Sequence, residues 1–152
     1  MSDSIITEAG GVELLCRLEP LWEALKAHHE RTSTHFGDEL AGRRFAGRRA
    51  ELEGKASGLR VEIAFDRERN CDVGYCVSTV DGEGKGEIDS LYVDDGCRGE
   101  GLGRRLAQSA IRWMKERGAE EIQLLVVAGN DAAIHFYERL GFYSRNVHMV
   151  RK

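Results

Sequence analysis

The chain has 152 residues, 41% hydrophobic and 32% charged, with a net charge of −4. One domain with a sizeable core is expected over residues 1–152; the charge argues against nonspecific nucleic-acid binding, and no apolar run approaches the ~20 residues that cross a membrane. The opening Met1-Ser2-Asp3-Ser4 lacks the basic and apolar stretches of a secretion signal. Cys16, Cys71, Cys76 and Cys97 form no Cys-x-x-Cys pair, so a cytoplasmic protein with reduced thiols is expected.

In chain order, residues 12–18 alternate enough to predict a first strand. Pro20 suits the first turn of a helix, and Leu21, Trp22, Leu25 and His28 or His29 share one face of it. Residues 30–37 read as a connection. A second helix is predicted from Asp38 to about Lys55, with Leu40, Phe45 and Leu52 inward, although Gly42 and Gly47 weaken it. Residues 59–65 alternate polar and apolar side chains and predict a half-buried strand, followed by a turn over 66–70 and another strand over 73–80. The glycine-rich run 81–86 predicts a hairpin loop leading into a strand over 87–93. Leu102, Leu106, Ala110, Trp113 and Met114 recur at helical spacing, and Gly118 ends that helix. A buried strand is predicted over 122–128, then a helix of about three turns between Asn130 as N-cap and Gly141 as C-cap. A last strand is predicted over about 144–150.

Arg98-Gly99-Glu100-Gly101-Leu102-Gly103 lies between a strand and a helix. Alternate glycines bring amides together without Cβ atoms in the way, and the helix start adds unpaired N–H groups and a positive dipole end. Such a loop suits a phosphate or pyrophosphate. The dinucleotide fingerprint would need a glycine where Arg104 stands, and no Gly-Lys-Ser/Thr completes a P-loop. A plain glycine-rich turn capping the helix fits the loop equally well when it is taken alone.

A second block changes that balance: Asn130-x-x-Ala133-x-x-x-Tyr137, continuing Tyr137-Glu138-Arg139-Leu140-Gly141-Phe142. Together the two blocks resemble the paired signatures of the GNAT superfamily of acetyl-CoA-dependent N-acyltransferases. The likeness is specific over residues 86–143 and architectural before them. It implies an α/β (α+β) fold with a mixed central sheet, the fourth and fifth strands parallel and splayed, flanked by helices. The order of predicted elements agrees, except that family members often end in two strands and only about ten residues remain. A shortened or missing terminal strand follows, and a homodimer partner is one way to cover the edge.

The resemblance implies acetyl-CoA as cosubstrate and acetyl transfer to a primary amine. It assigns the amides near Leu91, Tyr92 and Val93 to the acetyl carbonyl and pantetheine arm. It assigns Arg98, Gly99, Glu100, Gly101, Leu102, Gly103 and Arg104 to the pyrophosphate, and Asn130, Ala133 and Tyr137 to the arm. Tyr137, one turn after Ala133 on the same face, is the candidate general acid for the departing thiolate. Glu87 and Asp89 share one side of their strand, and either carboxylate is a candidate base; a solvated pair near a strand start is the other reading.

His28, His29, His35, Arg31, Thr32 and Ser33 are candidates to line an acceptor pocket, with helix-end capping as the plainer reading. No carboxylate completes a ligand pattern with the histidines, so no metal is expected. The repeated Ala-Gly-Arg-Arg puts Arg43, Arg44, Arg48 and Arg49 on one segment. It reads as a solvated face with Glu51 and Glu53 as partners, or as a basic lip for an acidic acceptor or CoA phosphates. Arg104 and Arg105 stand nearer the glycine loop. The acceptor is read as a small-molecule amine, with a peptide acceptor or a non-catalytic CoA-binding module as alternatives.

Overall fold

In a computed structural model of the chain, residues 3–152 are described; Met1 and Ser2, part of the N-terminal run read above, lie outside them. Five strands form one sheet in the order β1 (Ile5–Gly10), β2 (Leu59–Asp66), β3 (Cys71–Val80), β4 (Lys85–Val93) and β5 (Glu121–Leu124). The first four pair antiparallel and β4–β5 pairs parallel. Helices α1 (Glu19–Thr32), α2 (Gly37–Ala41) and α3 (Phe45–Glu53) precede β2, α4 (Leu102–Glu116) connects β4 to β5, and α5 (Asp131–Glu138) follows β5.

The sheet is covered on both faces, as a parallel crossover requires. On one face Leu21 and Leu25 of α1 and Phe45 and Leu52 of α3 pack on Val61, Ile63, Tyr75, Val77 and Tyr92. On the other, Leu102, Leu106, Ala110 and Met114 of α4 pack on Ala64, Val73, Cys76 and Ile88. These four α4 residues recur every four positions, so one stripe of the helix is buried. Gly118 and Gly141 adopt φ of +87° and +93° and close their helices. Ala119 N–H donates to Met114 O at 2.9 Å and Phe142 N–H to Tyr137 O at 3.0 Å, the reach-back of a Schellman cap.

The first strand is not at 12–18. Residues Ile5–Gly10 form it, and Val12–Arg17 is a 3-10 helix. Leu14, Leu15 and Leu18 are all buried, and spacings of one and four put three side chains on one side of a helical turn, which a strand cannot do. The helix expected from Asp38 is two pieces, broken at Gly42 and at Arg44, whose backbone is extended; Leu40, Phe45 and Leu52 are buried as expected. Helix α1 runs on to Thr32, which shortens the connection after it.

The predicted strand over 122–128 stops at Leu124, because β4 pairs with β5 only through Ile88↔Leu124 and offers no partner beyond. Leu125 is 90% exposed. The last predicted strand is absent: residues 142–152 carry no regular structure, and Val147 and Met149 are 85% and 87% exposed. A strand exists through the ladder that satisfies its amides, and the four-residue β5 forms none with this segment. Arg145 pairs with Glu121 at 2.6 Å, and Lys152 sits 5.5 Å from the Phe36 ring.

Candidate active site

The parallel pairing covers Lys85–Ile88 of β4 and Glu121–Leu124 of β5 and then ends. On the other edge of β4, Asp94 N–H donates to Val73 O at 2.8 Å. Amides alternate in direction along a strand, so those of Leu91 and Val93 point the opposite way, where β5 has ended. They are donors facing a gap in the sheet. Val93 O accepts from Arg98 Nε at 3.0 Å.

A β-bulge lies beside this gap. Val77 opposes Ser90 and Ser78 opposes Ile88, so Asp89 is an extra residue on β4. The bulge re-aims the residues that follow it, while strand alternation alone puts Asp89 on the α1–α3 face with Glu87. There the Asp89 carboxylate is 1% exposed, accepts from Arg48 Nη2 at 2.9 Å and Thr79 Oγ1 at 2.8 Å, and has Lys55 Nζ at 3.7 Å. Glu87 is half-buried and accepts from Gln123 Nε2 at 3.3 Å. Burial, and then the neighbouring Asp89, push its carboxyl above the usual glutamate value. Arg48 also pairs with Glu51, and Arg49 with Glu53, as read from the sequence. The reach of Arg48 from α3 to Asp89 has no sequence signal, because 41 residues separate them.

Tyr137 of α5 packs against the α4-side core, the same cluster that Leu91, Val93 and Leu124 pack against, with the Phe136 and Phe142 rings at 5.0 and 5.8 Å. Burial first, then Cys76 and Tyr75, push its phenol above its usual value, so it stays protonated at neutral pH. Asn130 Oδ1 accepts from Ala133 N–H at 3.3 Å and caps α5, and Asn130 is buried. Gly129 precedes it with φ of +104°, and a Cβ there would overlap the Thr32 carbonyl. That close approach brings the end of α1, with Thr32 and Ser33, beside the start of α5.

The glycine loop closes the far end. Gly99 and Gly101 have φ of +84° and +83°, a region only glycine enters cheaply. Gly101 is the N-cap of α4 and no side chain caps it, so the first-turn amides, Leu102 to Arg104, have no intrahelical acceptor. Arg98 turns back, pairing with Asp95 at 2.8 Å and lying 5.6 Å from the Tyr92 ring; it braces the loop. Glu100 is exposed and Leu102 is core. Cys97 is buried, not an exposed loop thiol, and burial raises its pKa. The His28 and His29 rings of α1 lie 6.3 Å apart, tilted by 49°, and burial lowers the pKa of His29. Among the described residues no group of three or more His, Cys, Asp or Glu could hold a metal ion, and no helix is long and apolar enough to cross a membrane.

The family described as Acetyltransferase (GNAT) matches residues 22–142. An uncharacterized N-acetyltransferase of Methanocaldococcus jannaschii is 38% identical over 51% of this chain and 34% of its own length. A mycothiol acetyltransferase of Propionibacterium freudenreichii is 42% identical over 43% of this chain and 21% of its own length. The chain thus spans about a third or less of these two relatives. The solved structure of aminoglycoside N-acetyltransferase AAC(6')-Iy in complex with CoA shares the fold, with a TM-score of 0.73, 16% identity and coverage of 100% of this chain and 97% of that one. With its mixed sheet, flanking helices and matched family signature, the chain belongs to the GNAT acetyltransferase family.

Proposed function

We propose that the chain is a single-domain enzyme that transfers the acetyl group of acetyl-CoA directly to a primary amine. The observation that carries this reading is the gap between β4 and β5: the outward Leu91 and Val93 amides, Tyr137 on the core that Leu91 and Val93 also pack against, and the uncapped glycine loop. The loop amides hold the pyrophosphate; the Val93 amide and Asn130 hold the pantetheine arm. The Leu91 amide polarises the acetyl carbonyl, preorganised stabilisation of the kind that dominates acyl transfer.

The amine nitrogen attacks the carbonyl carbon, the C–S bond breaks, and Tyr137 gives its proton to the leaving thiolate. The proton released by the amine goes to Glu87, directly or through water. Glu87 is favoured over Asp89 because the Asp89 oxygens are already engaged by Arg48, Thr79 and Lys55. A carboxylate held above its usual pKa is a better base near neutrality. Transfer is direct rather than through a covalent acetyl-enzyme: Cys76 and Cys97 are buried and burial raises the pKa of both, while the exposed Cys16 and Cys71 lie in the 3-10 helix after β1 and at the start of β3.

The acceptor is a small-molecule amine, a reading that the relatives named mycothiol acetyltransferase support. The test is thiol release from acetyl-CoA against polyamines, amino acids, aminoglycosides and short peptides, beside a CoA thermal-shift titration. Release with one amine class upholds the reading; neither shift nor release overturns it.

A further inference from the structure

A pocket of about 390 Å³ lies between the segment after α3, the β3–β4 hairpin and the paired start of β4 and β5. Its charged and amide side chains are Lys55, Asp81, Lys85, Glu87 and Gln123. Glu87 pairs with Gln123 in the β4–β5 ladder, one position before Ile88↔Leu124, where that ladder ends. The pocket therefore adjoins the gap into which the Leu91 and Val93 amides point. Lys85 stands two residues before Glu87, on the same side of the strand. Among the described residues neither Lys85 nor Glu87 has an ion-pair partner. The acidic neighbours of Lys85 are engaged elsewhere. Asp81 Oδ1 accepts from the Glu83 and Lys85 N–H groups at 2.9 Å each, which closes the hairpin, and Glu121 pairs with Arg145 at 2.6 Å. Lys55 makes only a 3.7 Å contact with Asp89, a carboxylate that Arg48 and Thr79 already hold, and its side chain is 48% exposed.

We infer that this pocket takes the acceptor in the form of an amino acid, a primary amine with a carboxylate a few bonds away. The amine lies at Glu87, beside the gap, and the carboxylate lies between Lys85 and Lys55. Positions 85 and 87 are ~6.6 Å apart along the strand, and both side chains are long enough to converge on one small molecule. The Gln123 amide, 3.3 Å from Glu87, holds the Glu87 carboxylate in place. The four charges of the pocket, two lysines against Asp81 and Glu87, cancel. A zwitterion keeps that balance, whereas a polyamine or an aminoglycoside brings further ammonium groups up against two lysines, a like-charge juxtaposition that selects against them. The volume falls in the range of small-ligand sites. The inference rests on the acetyl-transfer reading above and narrows its acceptor.

The test is thiol release from acetyl-CoA with alanine, methionine, glutamine and 4-aminobutyrate, each beside its carboxamide, for wild type, Lys85→Gln and Lys85→Arg. Lys85 is exposed, and its bond to Asp81 is made by the backbone and survives both substitutions; circular dichroism checks folding. Wild type is expected to favour the carboxylate member of a pair by about tenfold in kcat/KM, one charge-assisted contact's worth. Lys85→Gln abolishes that preference and Lys85→Arg retains it. A merely structural role for Lys85 would lower both members of a pair and leave their ratio unchanged. Carboxamides used as well as the acids, or a preference that Lys85→Gln does not move, overturns the inference. Release with polyamines or aminoglycosides but with no amino acid also overturns it, and leaves acetyl transfer standing. If no amine gives release, the acetyl-transfer reading fails, and calorimetric titration of the same pairs decides the pocket. Binding that needs both the carboxylate and Lys85 then upholds an amino-acid site; binding that is absent or indifferent to either overturns it.

Discussion

Arg48→Gln tests the brace behind the acidic pair. The Asp89 side chain is 1% exposed and Arg48 Nη2 lies 2.9 Å from it. Removing one partner of a buried ion pair typically costs about 3–5 kcal/mol, because the remaining charge stays buried. Two features reduce that here: Arg48 is 28% exposed, and Lys55 Nζ remains 3.7 Å from the same carboxylate. A cost of ~2 kcal/mol follows. For a chain of this size that lowers Tm by ~4–8 °C. The assay is urea and thermal unfolding of Arg48→Gln, Asp89→Asn and the double variant. Asp89→Asn keeps an oxygen for Thr79, so the cycle isolates the ion pair, with an expected coupling of at least ~1 kcal/mol. Glu51→Gln removes only the exposed arm of Arg48 and should cost less than ~0.5 kcal/mol. Additive single effects, or an Arg48→Gln variant as stable as wild type, would refute the brace.

Further outcomes are expected at four residues. Tyr137→Phe should lower kcat by ~10²-fold while moving Tm little, since only a hydroxyl is removed; an unchanged kcat in single-turnover thiol release removes Tyr137 as the acid. In wild type, kcat/KM should rise with pH through a limb above the usual glutamate value, as Glu87 loses its proton. Glu87→Gln should abolish that limb, and one surviving unshifted in the variant assigns it elsewhere. Because the folded-state pKa of Glu87 is raised, the folded protein binds more protons there than the unfolded chain, and the ionised side chain opposes folding above that pKa. Glu87→Gln should therefore match or exceed wild type in Tm at pH 8. Gly129→Ala should destabilise by at least ~2 kcal/mol in urea unfolding, from left-handed strain and the overlap with the Thr32 carbonyl. Leu106→Ala, at a fully buried position of α4, should cost ~3 kcal/mol, and a loss below ~1 kcal/mol would contradict the packing described.

Local chemistry was readable wherever it depended on neighbours in sequence. The Gly99 and Gly101 turns, the Asn130 cap, the closing glycines 118 and 141, the buried stripe of α4 and the alternation of β2 all rest on contacts within a few residues. The elements misread from sequence are those whose partners are distant. Leu14, Leu15 and Leu18 lie in a short run that can be drawn as either strand or turn, and only the core they enter selects the turn. The strands expected over 122–128 and 144–150 look β-forming, yet a strand lasts only as far as its neighbour pairs with it. For β5 that limit is Leu124, where its pairing with β4 ends.

The sequence by itself determined the acetyltransferase family, the glycine loop, the helix caps and the candidacy of Tyr137, Glu87 and Asp89, since all are written in short-range spacing. The tertiary structure decided how those candidates differ. The approach of α3 commits Asp89 to Arg48, with Thr79 on its other oxygen, and leaves Glu87 half-buried beside it. The two ends of the chain's middle meet where Gly129 touches Thr32. It also decided which cations keep a free charge, because an ion pair is settled by which carboxylate the fold carries within reach, a distance that spacing along the chain does not encode.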